Sequence, residues 1–217
     1  MSGYFIVGTD TGVGKTLVAS ALITRMVAAG MRVAAMKPIS AGCVHTAEGW
    51  LNDDVARLRQ AANVKLPLAL INPYAFEMAI APHIAAEQAG VEIDLALIEQ
   101  AYRAISAQAD TVIVEGVGGF LVPLSRQQTA ADLALRLNLP LVLVIGMRLG
   151  CLNHALLTVE AIQRRGLTLA GWVANPIDPN MMAFDANLAS LKARIAAPFW
   201  GMTVDLKMSE IPLFMNG

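Results

Sequence analysis

Residues 8–16 read Gly-Thr-Asp-Thr-Gly-Val-Gly-Lys-Thr, and this stretch decides the fold. It follows a short apolar run of strand character and opens a segment with helical period, which is the position of a Walker A phosphate-binding loop. The consensus places its first glycine where Thr9 stands, whereas here the glycine comes one residue earlier, at Gly8. A glycine-rich turn without a ligand is the alternative. The order of strand, loop, Gly-Lys-Thr and helix favours a variant nucleotide-binding loop.

The last residues of this loop have distinct predicted roles in holding a nucleotide. Gly12 and Gly14 allow consecutive main-chain N–H groups, with that of Val13 between them, to converge on phosphate oxygens at the positive end of a helix. Lys15 reaches the outer phosphates, and Thr16 offers its hydroxyl to Mg²⁺. We therefore expect ATP as co-substrate and Mg²⁺ as cofactor. The reaction stays open at this point, because switches, motors and synthetases share such a loop.

Short β-branched runs alternate along the chain with longer segments of helical period. This alternation predicts an α/β fold of the P-loop NTPase type, with a mostly parallel sheet flanked by helices on both faces. We expect strands near 4–8, 32–37, 111–115, 141–145 and 169–174, and helices near 15–29, 52–62, 95–108, 130–137, 151–165 and 183–196. No repeat or flexible linker divides the chain, so we expect a single domain over 1–217. In such a sheet, ligands bind beyond the carboxyl ends of the strands.

The composition is unusually apolar, at 56% hydrophobic and 15% charged residues. Polar residues, Pro or Gly interrupt each apolar run before the ~18 residues that a membrane span needs, so the excess indicates a core plus an oligomer interface. Sixteen basic and seventeen acidic residues create no net field to attract nucleic acid or an anionic membrane. The N-terminus has no basic flank, and we expect a cytoplasmic protein with small-molecule substrates.

No other catalytic constellation competes with the phosphate loop. The two cysteines, Cys43 and Cys151, lack the spacing of a zinc site or a disulfide framework, and we interpret their thiols as spectators. The three histidines are scattered through the chain, at His45, His83 and His154. Structural roles are therefore expected for them.

Charged residues stand where two predicted strands end. Lys37 closes an apolar strand, and Pro38 then restricts the main chain beside it. Its ammonium faces either solvent or an anion. Glu115 runs from a buried strand into a glycine turn, which is the usual place of the acidic Mg²⁺ ligand in P-loop enzymes. The alternative for Glu115 is a carboxylate that caps a loop.

A second acidic position precedes the predicted helix at 52–62. Asp53 and Asp54 suit a helix N-cap as well as a metal ligand. Phosphoryl transfer needs positive charge placed around an anionic transition state. Two lysines and one metal ion would supply it here, the lysines being Lys15 and Lys37 and the metal ligands Thr16, Asp54 and Glu115.

The chain resembles the dethiobiotin synthetase family along nearly its whole length. Six motifs carry the resemblance: Gly-Thr-Asp-Thr-Gly-Val-Gly-Lys-Thr at 8–16, Lys-Pro at 37–38, Asn-Asp-Asp at 52–54, Val-Glu-Gly-Val-Gly-Gly at 114–119, Arg-Leu-Gly-Cys-Leu-Asn-His at 148–154 and Gly-Trp-Val-Ala-Asn at 171–175. The resemblance implies that 7,8-diaminononanoate and CO2 form a carbamate, that ATP phosphorylates it, and that the neighbouring amine closes a ureido ring. It places Thr11, Lys15, Lys37 and Glu115 around the reacting groups and Gly118 near the carbamate.

The resemblance also implies a two-fold homodimer with the substrate site at its interface. The segment around Gly150, Cys151 and Asn153 looks like a helix start, whose free N–H groups would hold the substrate carboxylate. In the family this contact crosses from one protomer to the other. An apolar composition suits such an interface.

The resemblance further implies that Asn175 contacts the adenine base. A turn residue before Pro176 is the alternative for this position. Two departures from the family pattern affect the ligands. The stretch 201–205 replaces the common Gly-x-Ile/Leu-Pro, and Ala41 stands where the family usually has Ser or Thr, with the hydroxyl on Ser40 instead. The first departure leaves nucleotide selectivity open, and the second predicts that one substrate hydrogen bond is missing or redirected.

Two other classes share this fold. A ParA/MinD-like switch ATPase would need a signature lysine within 9–13, which is missing, and a basic patch or an amphipathic tail, which 206–217 does not provide. A non-catalytic regulatory module would not need Lys15, Lys37 and Glu115. The sequence therefore favours an enzyme.

Overall fold

A computed structural model describes residues 3–203. Its strands, in chain order, are β1 (Gly3–Gly8), β2 (Val33–Met36), β3 (Ile39–Ala41), β4 (Val44–Thr46), β5 (Gly49–Leu51), β6 (Tyr74–Phe76), β7 (Thr111–Glu115), β8 (Leu141–Met147), β9 (Leu169–Pro176) and β10 (Phe199–Met202). Its helices are α1 (Lys15–Ala28), α2 (Asp53–Ala61), α3 (Leu68–Ile71), α4 (Pro82–Gln88), α5 (Leu95–Ser106), α6 (Ala130–Leu137), α7 (Cys151–Arg164) and α8 (Phe184–Arg194).

Six strands form one parallel sheet in the order β10-β9-β8-β1-β7-β2. Strand β1 lies at the centre and pairs with β7 and β8, with Ile6 opposite Glu115 and Gly8 opposite Val144. This register places the phosphate loop, which follows Gly8, beside the carboxyl end of β7. The α/β fold with a mostly parallel sheet is confirmed.

Side chains of β1 alternate between the two faces of the sheet, as the pleat of a strand requires. Phe5 and Val7 belong to one hydrophobic core, whereas Tyr4 and Ile6 belong to a second core that includes residues of α1. All four are buried. A strand buried on both faces shows no alternation of apolar and polar residues, which explains why this run reads as continuously hydrophobic.

The five predicted strands and six predicted helices are present, with ends shifted by a few residues. The sixth strand of the main sheet, β10, was not predicted because its short run follows Pro198 and contains Gly201. Trp200 anchors this strand by packing edge-on against Tyr4, with ring centroids 5.4 Å apart. Gly171 makes room for it, since a Cβ there would lie 2.3 Å from the indole ring.

Among residues 3–203, no helix is long and apolar enough to cross a membrane. Residues 204–205 of the predicted base-binding stretch and the tail 206–217 lie outside the described residues. The single domain over 1–217 stays a prediction.

Candidate active site

A cavity of about 640 Å³ opens beyond the carboxyl ends of β1, β2 and β7. It brings together ten of the residues predicted from the sequence: Thr11, Gly12, Gly14, Lys15, Thr16, Lys37, Ala41, Asp54, Glu115 and Gly118. They come from four separate segments of the chain. The parallel sheet unites them because it aligns the carboxyl ends of its strands at one edge.

The phosphate loop is shaped by Gly14, which precedes α1 with a φ of 95°. A side chain would be strained in this left-handed conformation, and a Cβ would also lie 2.3 Å from Nδ2 of Asn175. The Lys15 ammonium donates to the carbonyl oxygens of Asp10, at 2.9 Å, and Gly118, at 2.7 Å. The two bonds to carbonyl oxygens hold Lys15 at the floor of the cavity. Val13, between the two glycines of the loop, is buried.

Lys37 lies directly after β2 and bridges two carboxylates. Its ammonium donates to Oδ2 of Asp54 at 2.5 Å and to Oε1 of Glu115 at 2.6 Å. The Thr16 hydroxyl donates to the same oxygen of Glu115 at 2.9 Å. Of the two alternatives for the Lys37 ammonium, solvent or an anion, the structure shows anions, namely these two carboxylates.

The helix cap beside Asp54 determines where its carboxylate lies. Asn52 is the N-cap of α2, and its side-chain oxygen accepts a hydrogen bond from the Asp54 N–H at 2.9 Å. Its side-chain amide donates to the carbonyl oxygen of Ala41, also at 2.9 Å. Because Asn52 caps the helix, the carboxylate of Asp54 is left for the cavity, whereas Asp53 is exposed and does not line it.

The oxygen donors of this network fit a Mg²⁺ ion. Oε2 of Glu115 is buried and has no hydrogen-bond partner among the residues that the structure describes. A carboxylate oxygen in that state lacks a cation or donor. Carboxylates and a hydroxyl are the hard oxygen ligands that Mg²⁺ prefers, and Thr16, Asp54 and Glu115 provide them side by side.

Burial and charge shift the pKa values of these groups. Burial is the main reason that the pKa of Lys15 falls from 10.5 to about 8. For Lys37 burial also acts downward, but Glu115 and Asp54 outweigh it and raise its pKa. Burial tends to raise the pKa of Asp54, yet the neighbouring Lys37 ammonium lowers it on balance. Burial raises the pKa of Glu115, and the Lys37 ammonium offsets part of this effect.

Asn175 lies near the end of β9 and joins the phosphate loop to the chain after β10. Its side-chain amide donates to the carbonyl oxygen of Val13 at 2.9 Å, and its oxygen accepts from the hydroxyl of Thr203 at 2.5 Å. Both bonds fix the orientation of the amide beside the loop. Its contact with adenine stays a prediction.

The hydroxyl of Ser40 points into the protein interior. It donates to Oδ1 of Asn72 at 2.8 Å and contacts the sulfur of Cys43 at 3.1 Å. Ser40 and Asn72 are both buried. Ala41 lines the cavity instead. The prediction that Ser40 contacts the substrate gains no support from this geometry, because its hydroxyl is committed elsewhere.

The predicted carboxylate site forms the start of α7. Gly150 is the N-cap with a φ of 94° and offers no side-chain cap. The Cys151 N–H is not free, because it donates to the carbonyl oxygen of Arg148 at 3.0 Å, whereas the exposed Asn153 lies two residues further into the first turn. This segment does not line the cavity of Lys15, but Arg148 joins it to the phosphate loop through a 2.6 Å ion pair with Asp10.

Sequence reasoning missed three side chains around the site. Asn52 caps α2, Asn72 anchors the segment after Lys37 by donating to its carbonyl oxygen at 2.6 Å, and Arg57 lines the cavity. Arg57 could have been found from its spacing, because it follows Asp54 by three residues on a helix. No local sequence pattern could have indicated the role of Asn72, because it lies 35 residues from Lys37 along the chain.

Comparison with known proteins adds close relatives. A family model described as an AAA domain matches residues 2–202. The chain is 54% identical over 199 residues to an ATP-dependent dethiobiotin synthetase BioD from Aromatoleum aromaticum, covering 92% of this chain and 88% of the relative. It is 51% identical to the protein of the same name from Janthinobacterium, covering 91% and 85%.

Solved structures share the fold at low sequence identity. The signal recognition particle receptor FtsY from Elizabethkingia anophelis, in complex with GDP, matches with a TM-score of 0.58 and 15% identity, covering 98% of this chain. This chain spans 60% of the receptor's length. The septum site-determining protein MinD from Pyrococcus horikoshii, complexed with Mg-ADP, matches with a TM-score of 0.57 and 15% identity, covering 93% of this chain and 80% of MinD. These likenesses show a P-loop NTPase fold and no more.

Proposed function

We propose a function from the premise that this chain belongs to the ATP-dependent dethiobiotin synthetase family of ligases. The protein converts 7,8-diaminononanoate, CO2 and ATP into dethiobiotin, ADP and phosphate. The observation that carries the proposal is the cage of Lys15, Lys37, Asp54 and Glu115 around one cavity, in a chain that is 54% identical to a named synthetase. Neither the switch ATPase nor the regulatory module is favoured by these relatives.

The reaction proceeds in three steps. One amine of the substrate attacks CO2 and loses a proton, which gives a carbamate. A carbamate oxygen then attacks the γ-phosphorus of ATP, and the bond to the bridging oxygen breaks, so that ADP leaves and a carbamoyl phosphate remains. The second amine attacks the carbonyl carbon of this anhydride, loses a proton and expels phosphate as the ring closes.

The side chains of the cavity suit the phosphoryl transfer in the second step. A carbamate is already an anion, so no strong general base is needed for its attack on phosphorus. Lys15 and Lys37 place two ammonium groups where negative charge spreads in the transition state. We assign the phosphate chain of ATP to Thr11, the main chain of 12–16 and Lys15, and the carbamate to the side of Gly118 and Ala41.

Mg²⁺ is proposed as the cofactor, held by Thr16, Asp54 and Glu115. When bound, it neutralises charge on the phosphate oxygens during transfer. The unpartnered Oε2 of Glu115 supports this assignment because a buried carboxylate oxygen otherwise remains unsatisfied. Lys37 already holds an oxygen atom of each carboxylate, which keeps both side chains in place.

A homodimer is proposed as the working form, with the diamine carboxylate bound at the start of α7 across the interface. Three leucines support it: Leu121, Leu149 and Leu157 are 48%, 94% and 57% exposed. A cavity of about 390 Å³ between Leu121 and Leu157 is lined in part by Thr9 and Gly119, next to the phosphate loop. Exposed apolar side chains of this kind are typical of a protein–protein interface. We propose a cytoplasmic location as well, where ATP is available.

One assay tests the proposed function. The protein is mixed with ATP, Mg²⁺, bicarbonate and 7,8-diaminononanoate, and both phosphate and dethiobiotin are measured. We expect phosphate release to require the diamine and to match dethiobiotin in amount. Phosphate release that is indifferent to the diamine but rises with DNA or lipid vesicles would indicate a switch ATPase instead.

A further inference from the structure

We propose that Arg57 is an additional binding residue for the phosphate chain of the nucleoside triphosphate. The proposal rests on the proposed function, because it deepens the description of the same cavity. The role is suggested by where the side chain lies, by its lack of a partner and by the balance of charges in the cavity.

The position of Arg57 follows from the geometry of α2. Asp54 and Arg57 are three residues apart and therefore lie on one face of this helix. Both line the main cavity, together with Leu17 from the first turn of α1. Helix α2 packs against α1, the helix that the phosphate loop opens, so Arg57 belongs to a helix that lies beside this loop.

Arg57 has no hydrogen bond or ion pair with any of the residues 3–203 that the structure describes. Its neighbour Asp54 does not hold it, since Oδ2 of Asp54 accepts from Lys37 at 2.5 Å. Arg59, two residues further along the same helix, behaves differently and pairs with Glu48 at 2.8 Å. Arg57 is thus a cation at the cavity that is available for an anion.

The charges of the cavity show what Arg57 adds. Lys15 and Lys37 are balanced by Asp54 and Glu115, so these four side chains sum to zero. Arg57 makes the cavity positive before a ligand enters. A triphosphate carries several negative charges, and a positive field at the entrance of a cleft favours its capture. A guanidinium group also presents forked N–H donors that match phosphate oxygens, which a lysine does not.

Binding titrations of three variants test this role. Mg-ATP, Mg-ADP and AMP are titrated calorimetrically, without the diamine, into the wild type and into Arg57→Ala, Arg57→Lys and Arg59→Ala, at two salt concentrations. For Arg57→Ala we expect Mg-ATP to bind about fivefold more weakly, with a smaller loss for Mg-ADP and none for AMP. The salt dependence of ATP binding should also decrease.

The controls separate charge from fold. Arg57→Lys should retain part of the affinity, and Arg59→Ala should bind all three ligands like the wild type with an unchanged melting temperature. The proposal is wrong if Arg57→Ala binds Mg-ATP as tightly as Arg59→Ala, or if ATP, ADP and AMP lose affinity equally. If the wild type itself fails to bind Mg-ATP, the proposed function fails together with this assignment.

Discussion

The ammonium of Lys37 lies 2.6 Å from a carboxylate oxygen of Glu115, and the two side chains are only 6% and 1% exposed. Asp54 holds the same ammonium from the other side. A buried carboxylate without a counter-charge is costly, so Lys37 stabilises the site before any ligand binds. A metal cation and Lys37 would then compete for the oxygen atoms of Glu115 and Asp54.

Replacing Lys37 by methionine should make this competition visible. Without nucleotide, Lys37→Met should lower the free energy of unfolding by about 3 kcal/mol, because Glu115 loses its buried partner. It should also bind Mn²⁺ more tightly than the wild type. Urea unfolding with and without Mg²⁺, and Mn²⁺ titration followed by electron paramagnetic resonance, measure the two effects. Lys65→Met, at an exposed lysine outside the cavity, is the control for Mn²⁺ affinity. Unchanged Mn²⁺ affinity in Lys37→Met would contradict the competition.

Lys37 should contribute to transfer more than to binding. Lys37→Ala is expected to lower kcat by about 100-fold or more while the Kd for Mg-ATP changes by less than about threefold, because the loop and Lys15 still hold the nucleotide. Steady-state kinetics and calorimetric titration give the two numbers. An equal loss in kcat and affinity would mean that Lys37 binds ground-state phosphate only.

The low pKa of Lys15 predicts a pH dependence of ATP capture. The folded, ligand-free protein loses this proton near pH 8, whereas the unfolded chain keeps it to about 10.5. Because binding of phosphate needs the ammonium, kcat/KM for ATP should fall above about pH 8, approaching tenfold per pH unit. Between about pH 8 and pH 10.5 the unfolded chain binds more protons at Lys15 than the folded protein does. In this range Lys15 therefore makes the free energy of unfolding rise with pH.

Lys15→Arg is the control for this titration. An arginine stays protonated throughout the range, so the fall near pH 8 should disappear even though the variant is less active. A wild-type profile of kcat/KM that stays flat to about pH 10 would show that Lys15 keeps its proton in the free enzyme.

Much of the fold and the cage could be predicted because both depend on local patterns. Glu115 and Lys37 each end an apolar strand, and parallel strands bring such ends to one edge. The sequence did not decide whether Asp54 caps its helix, because that depends on Asn52, which takes the cap in the structure. Strand β10 was not predicted because it depends on a tertiary contact, in which the indole of Trp200 packs against Gly171 where a side chain would leave no room.

The Ser40 and Ala41 pair shows the limit of sequence reasoning most clearly. Adjacent residues on a strand face opposite sides, so moving a hydroxyl by one position turns it from the cavity to the interior. The partner that receives it, Asn72, is 32 residues away. No local pattern could have indicated that contact.

Ala41→Ser should restore a hydroxyl to the cavity. We expect KM for the diamine to fall by about twofold to fivefold, the value of one modest hydrogen bond, with little change in ATP affinity. Ser40→Ala is the matched variant and should cost about 1 kcal/mol of stability, because Asn72 loses a buried donor, while KM stays near that of the wild type. The reverse pattern, with KM changed by Ser40→Ala alone, would place the Ser40 hydroxyl at the substrate.

The exposed Leu149 offers the sharpest test of the proposed dimer. It directly precedes the α7 segment proposed to hold the diamine carboxylate, and its side chain is the most exposed large apolar group of residues 3–203. An aspartate there would place a charge in an apolar interface, where it lacks water. Leu149→Asp should therefore be monomeric in analytical ultracentrifugation.

The loss of the dimer should affect binding of the diamine but not binding of ATP. If the start of α7 serves the partner protomer, Leu149→Asp should raise KM for the diamine by about tenfold or more, since the carboxylate loses its N–H donors, while Mg-ATP binds as before. Leu97→Asp, at a half-exposed leucine in the first turn of α5, should stay dimeric with normal KM. A monomeric Leu149→Asp variant with normal KM for the diamine would mean that each protomer binds the whole substrate by itself.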